Sequence, residues 1–137
     1  MNPLARLYRI ADSLRYRKHG DIGRHGEDLA HRWLRARGFR VVARNWRPPQ
    51  GGGEIDIIAW EGDCLVFVEV KTRSTDNWSV PERDVDHEKM HALRRAARDY
   101  IRRTNADASR ARFDAISITG CRIEHLRDAF APTEAPR

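Results

Sequence analysis

The sequence predicts a mixed α/β domain, one β-sheet flanked by helices. Residues 54–60 and 64–73 are two runs rich in Ile, Val and aromatics, joined by Glu61-Gly62-Asp63, which is the pattern of a β-hairpin. Segments with helical apolar spacing stand before and after that hairpin, and two further strand-like runs follow the second of them. The 137 residues, 40% hydrophobic and 34% charged, suffice for one compact domain with a core of its own. The expected order is α, α, β, β, β, α, β, β.

Residues 1–20 form a basic N-terminal extension. Leu4, Leu7, Tyr8, Ala11 and Leu14 fall at helical spacing, with Arg6, Arg9, Arg15, Arg17 and Lys18 mostly on the other side. A solvated helix or frayed terminus accounts for this pattern better than a phosphate-binding arm. The main domain is expected over 21–130, opening with Asp21 as N-cap of a helix to about Arg37. Ile22, Gly26, Leu29, Ala30 and Trp33 make its apolar face, Gly26 is small enough to admit a neighbouring element, and Gly38 stops the helix. A strand follows near 39–45, then the loop Pro48-Pro49-Gln50-Gly51-Gly52-Gly53. After the hairpin, residues 74–85 form a polar loop. Asp86 is placed to cap a helix to about Thr104, with Met90, Leu93, Ala97, Tyr100 and Ile101 inward and Arg94, Arg95, Arg98, Arg102 and Arg103 on the other side. Strands at 113–118 and 123–126 turn at Gly120, and 131–137 make a loose tail.

Composition excludes several classes. The longest unbroken apolar run, residues 64–68, is far short of the ~20 residues that span a bilayer, and the basic N-terminus lacks the apolar stretch of a signal peptide. Cys64 and Cys121 lack paired spacing, so neither a disulfide framework nor a thiolate zinc site is indicated. A cytoplasmic protein without membrane association is expected. The net charge of +6 suits an anionic partner, although 23 of the 26 basic residues are Arg, which genomic base composition alone can produce.

The hairpin raises an electrostatic problem. With Gly62-Asp63 as a two-residue turn, facing residues sum to 125, so Asp56 opposes Glu69 and Glu54 opposes Lys71. Alternation places Glu54, Asp56, Glu69, Lys71 and Arg73 on one face, which continues into the apolar Ile58, Trp60, Leu65 and Phe67. Like charges opposite one another on neighbouring strands repel. A divalent cation between the carboxylates, or a raised pKa on one of them, relieves the strain. Lys71, one of only three lysines, projects from the same face beside Glu69. An ordinary solvated surface hairpin is the alternative reading of the same spacing.

Gly53-Glu54-Ile55-Asp56-Ile57-Ile58-Ala59 followed by Val68-Glu69-Val70-Lys71-Thr72-Arg73 resembles the PD-(D/E)xK nuclease signature, with Ile55 in place of its proline. With Gly23-Arg24, Gly26-Glu27, Ala30, Arg44-Asn45 and Arg112-Phe113-Asp114, residues 21–130 resemble the bacterial YraN family, which is similar to archaeal Holliday-junction resolvases. The resemblance implies a restriction-endonuclease-like fold. It implies Asp56, Glu69 and the Val70 carbonyl as ligands of Mg²⁺ or Mn²⁺, Lys71 as the catalytic lysine, and Glu27 completing the site from the helix. The implied activity is an endonuclease hydrolysing phosphodiester bonds in DNA, branched or otherwise structured, by a homodimer. In that setting Arg24, Arg73, Lys89, Arg94 and Arg98 would contact the nucleic-acid backbone. The same fold used as a catalytically silent nucleic-acid-binding module is the alternative.

A rival pattern is His87-Glu88-Lys89-Met90-His91, a literal H-E-x-x-H that on a helix could hold Zn²⁺ with Glu88 as general base. It lacks the usual continuation and needs a distant third ligand, for which Glu124 and His125 are the candidates. Trp46, Trp60 and Trp78 could stack on bases, though packing is the commoner role.

Overall fold

The computed structural model describes residues 19–73 and 87–129. Helix α1 (His19–Ala36) starts three residues earlier than Asp21 as N-cap implies, so Asp21 lies within its first turn. Its end follows from Gly38. At φ +91° Gly38 donates to the Arg35 carbonyl at 3.1 Å while Phe39 donates to Leu34 at 3.0 Å, a Schellman closure that seats Phe39 on the core beside Leu34. The chain then forms β1 (Arg40–Trp46), β2 (Ile55–Glu61), β3 (Cys64–Arg73), α2 (His87–Thr104), β4 (Ala111–Thr119) and β5 (Arg122–Leu126). The extension at 1–18, the loop at 74–86 with Asp86 and Trp78, and the tail at 130–137 lie outside the described residues.

The strands make one five-stranded sheet in the order β1-β2-β3-β4-β5, antiparallel throughout except for the parallel pair β3–β4. A parallel pair needs a long crossover, and α2 supplies it. This is the mixed α/β architecture expected, consistent with a restriction-endonuclease-like fold. The hairpin register matches the sequence argument from Glu61↔Cys64 to Ile57↔Val68, with Gly62 at φ +60° as the first turn residue.

Alternation sorts the strand residues between two helices. Ile57, Ala59, Val66, Val68, Ile116 and Ile118 pack with Ala30, Leu34 and Phe39 on the α1 face. Ile58, Leu65 and Phe67 pack with Leu93, Ala96, Ala97 and Tyr100 on the α2 face. The Val, Leu, Ile and Phe side chains among them contribute roughly 1.5–3 kcal/mol each when fully buried. Trp46 and Trp60 join the α2 side, Trp46 meeting Tyr100 edge-on at 5.4 Å, so both serve packing.

One charge is wholly interior. Asp114 is 0% exposed on the α1 face and accepts from Arg112 at 2.7 and 2.9 Å, from the Asp128 backbone at 2.9 Å, and pairs with His125 at 2.8 Å. Arg112 also reaches Glu61 at 2.8 Å, tying β4 to the far end of the hairpin. Burial opposes the Asp114 charge, but His125, Arg112 and the Asp128 N–H outweigh it and pull its pKa down to about 2. Among the described residues no helix is long and apolar enough to cross a membrane.

Candidate metal centre

The carboxylates meet where β2 begins and β3 ends. Past Ile57↔Val68, the Val70 N–H donates to the Asp56 side chain at 2.8 Å, so the Asp56 carboxylate is fixed by the backbone of the strand that carries Glu69 and Lys71. Gly26 brings α1 onto the same strand: a Cβ there would come within 2.2 Å of Thr72 Cγ2, so only glycine permits this approach, and the next residue, Glu27, reaches the rim. Gly53, at φ +148°, packs on the Ala92 carbonyl of α2. The result is a cleft of about 390 Å³ lined by Glu27, Gly53, Glu54, Asp56, Glu69, Val70, Lys71, Lys89, Ala92 and Leu93.

Within it Glu69 is buried. Its Oε2 meets the Lys71 ammonium at 2.9 Å and also the Lys89 ammonium, whereas its Oε1 is buried and has no hydrogen-bond partner among the described residues. Burial works against the Glu69 charge, yet the two lysines prevail and hold its pKa below the usual range. Asp56 has the opposite balance. Burial first, and the neighbouring Glu69 second, push it up to about 7 against the Val70 N–H. Of the two reliefs read from the sequence, the raised pKa falls on Asp56, while the Glu69 charge is offset by Lys71 and Lys89.

Some expected residues are placed differently. Glu54 precedes β2 and is turned to Asn45 at 3.2 Å and Arg47 at 3.1 Å, so it forms no ladder pair with Lys71 although it lines the cleft. Glu27 lies at the rim with Asn45 at 2.9 Å and Arg44 at 3.6 Å, and among the described residues no three His, Cys, Asp or Glu side chains form a ready ion cage. Arg73 is only 5% exposed. Arg98 is exposed and Arg94 half-buried on α2; Arg24 lies on α1, with its side chain outside the described ones.

Asn45 is the residue the motif argument did not single out for the site. Its amide donates to both Glu27 and Glu54, and it holds φ +50° at the end of a strand irregular at Val41/Ala43. An Asn followed by a Pro/Gly-rich loop was the available signal, since Asn tolerates the left-handed region. Among the described residues no third ligand gathers for the H-E-x-x-H pattern. His91 and Glu88 are exposed, His125 is bonded to Asp114 on the α1 face, and the His87 side chain lies outside the described ones.

Residues 26–118 match the model of the family described as "Uncharacterised protein family UPF0102". This span contains Glu27, Asp56, Glu69, Lys71 and Lys89. A UPF0102 protein of Solibacter usitatus is 53% identical over 128 residues, 90% of this chain and 97% of its own length. Relatives of the same name from Nitratidesulfovibrio vulgaris (45% over 116 residues; 82% of this chain, 85% of theirs) and Rhodococcus opacus (44% over 114; 80% and 95%) are also similar. The chain belongs to the UPF0102 family.

The donor set of this UPF0102 protein fits a hard divalent cation. The orphaned Glu69 Oε1 is a buried anionic oxygen still requiring a partner, and Asp56 is a second carboxylate whose charge burial disfavours. Mg²⁺ and Mn²⁺ accept such oxygens, and Mg²⁺ commonly takes one or two carboxylates with waters and a phosphate, so a three-residue cage is not required. Asp56, Glu69 and the Val70 carbonyl are the residues that would hold the ion, with Glu27 lining the same cleft.

Proposed function

We propose that this UPF0102 protein is a Mg²⁺- or Mn²⁺-dependent endonuclease that hydrolyses phosphodiester bonds in DNA, acting on branched or otherwise structured substrates as a homodimer. One observation supports it most: the buried Glu69 carboxylate lines a cleft shared with Asp56, one of its oxygens has no hydrogen-bond partner among the described residues, and Lys71 is held against the other. When bound, the cation would supply Lewis-acid polarisation of the phosphate and a more acidic water. Glu69 orients the Lys71 ammonium, which stays protonated because Glu69 outweighs burial and raises its pKa. Lys71 then donates to an incoming water or to a non-bridging phosphate oxygen and shields the charge that develops there. Leu93 and Ala92 close one wall of the cleft and limit bulk water. Exposed Arg95 and Arg98, on the helix that carries Lys89, would add phosphate-backbone contacts, which give salt-sensitive affinity without sequence readout.

The test is a panel of end-labelled single-stranded, flap, four-way-junction and duplex DNA, with RNA counterparts, incubated with the protein and each divalent metal. Cleavage that needs Mg²⁺ or Mn²⁺ and disappears in Glu69→Gln and Lys71→Met supports the proposal. Binding without cleavage on every substrate and metal replaces it with the silent binding module. Cleavage unaffected by either substitution removes the assigned site.

A further inference from the structure

Two ammonium groups share one oxygen of Glu69, and they are held very differently. Lys71 projects from β3 two residues beyond Glu69, its side chain 16% exposed and fixed by the strand. Lys89 reaches the same Oε2 from the first turn of α2, its side chain 35% exposed. A long aliphatic stem with an exposed flank can swing its charged end toward solvent at little packing cost. Adding a dication to Glu69 would gather three positive centres on one carboxylate, where like charges at such range repel strongly. One of the three must withdraw. Lys89, on a helix and the more exposed of the two, is the one placed to withdraw.

We propose that Lys89 is a cation-exchanged phosphate contact: it neutralises Glu69 until a divalent cation takes over that charge, and its released ammonium then binds the phosphate backbone of the nucleic acid. The inference rests on the metal-dependent reading of the cleft and adds a coupling to it. Cation binding and substrate binding become mutually favourable through one side chain, and by linkage each strengthens the other by the same factor. A phosphate receives Lys89 only when the cation is in place, so the protein engages nucleic acid at this site in its loaded form.

The experiment uses the full chain and two readouts. Mn²⁺ affinity is measured by titration calorimetry in the wild type, Lys89→Met, Lys89→Gln and, as a control for net charge, Arg122→Gln on exposed β5. Affinity for a labelled flap DNA is measured with Ca²⁺ and with EDTA. Removing the competing ammonium should tighten Mn²⁺ binding by about fivefold or more, with Arg122→Gln unchanged. The same Lys89 variants should bind DNA more weakly with Ca²⁺ but like the wild type in EDTA. Mn²⁺ affinity in both Lys89 variants equal to the wild type, or a DNA defect equal in EDTA and Ca²⁺, overturns the inference and leaves the metal site standing. A wild type that takes up no Mn²⁺ defeats the proposed function and this inference together.

Discussion

Replacing Asp56 by Asn should stabilise the protein in EDTA, by an amount that grows with pH. In the folded state the Asp56 pKa is raised from 3.8 to about 7, by burial first and Glu69 second. A carboxyl raised on folding favours the protonated native state, so its favourable contribution is complete below pH 4 and is lost as pH rises through 7. A little over three units at 1.36 kcal/mol each places the full effect on the order of 4 kcal/mol, an upper figure because water and side-chain rearrangement relieve part of it. Asn is uncharged and its side-chain oxygen still accepts from the Val70 N–H. Urea denaturation at fixed pH values between 4.5 and 8 should therefore show the variant ahead by roughly 2–4 kcal/mol at pH 8 and by about 1 kcal/mol at pH 4.5. Saturating Mg²⁺ should reverse the order at pH 8 by stabilising only the wild type. A gap that does not change with pH, or a variant less stable than the wild type at pH 8 in EDTA, would refute the assignment of Asp56 as a strained buried carboxylate.

Three other outcomes are expected. Asp114→Asn should cost about 3–5 kcal/mol in denaturant melts at pH 7, because Arg112 and His125 lose a buried counter-charge. Since the Asp114 pKa is lowered to about 2, the wild-type advantage is present above pH 4 and fades as pH falls toward 2; a cost under 1 kcal/mol at pH 7 would count against the network. Gly26→Ala should destabilise by roughly 1–3 kcal/mol, because the new Cβ collides with Thr72, and a neutral thermal shift would contradict the close approach of α1 to β3. Arg98→Gln should weaken DNA binding on every sequence tried and reduce the salt slope by about 1, whereas loss of preference among sequences would show a different role.

Much of this was legible in the residues because the hairpin fixes itself. A two-residue turn with Gly62 sets the register as far as Ile57↔Val68 and with it the α1 and α2 faces; beyond that point the Val70 N–H, not a ladder pair with Glu69, holds Asp56. Gly26 and Gly38 also carried readable structural meaning, one as close approach and one as helix stop. Legibility ended where side chains choose among several partners. Periodicity put Arg73 on the polar face but could not show it covered, and charge alone could not show that Glu27 and Glu54 share the Asn45 amide. Nor could it assign opposite pKa directions to Asp56 and Glu69, because that depends on Lys89 arriving from a helix about twenty residues downstream. H-E-x-x-H shows the converse: a motif complete in sequence whose candidate third ligand, His125, is committed to Asp114 across the sheet.

The account stands on Asp56 and Glu69 jointly holding one divalent cation. The most direct measurement is an anomalous difference map from crystals grown in MnCl₂. The expected peak lies in the cleft, about 2.1 Å from Glu69 Oε1 and from an Asp56 oxygen, and is absent in Glu69→Gln crystals. Manganese bound elsewhere while this cleft stays without a peak at saturating concentration would contradict it.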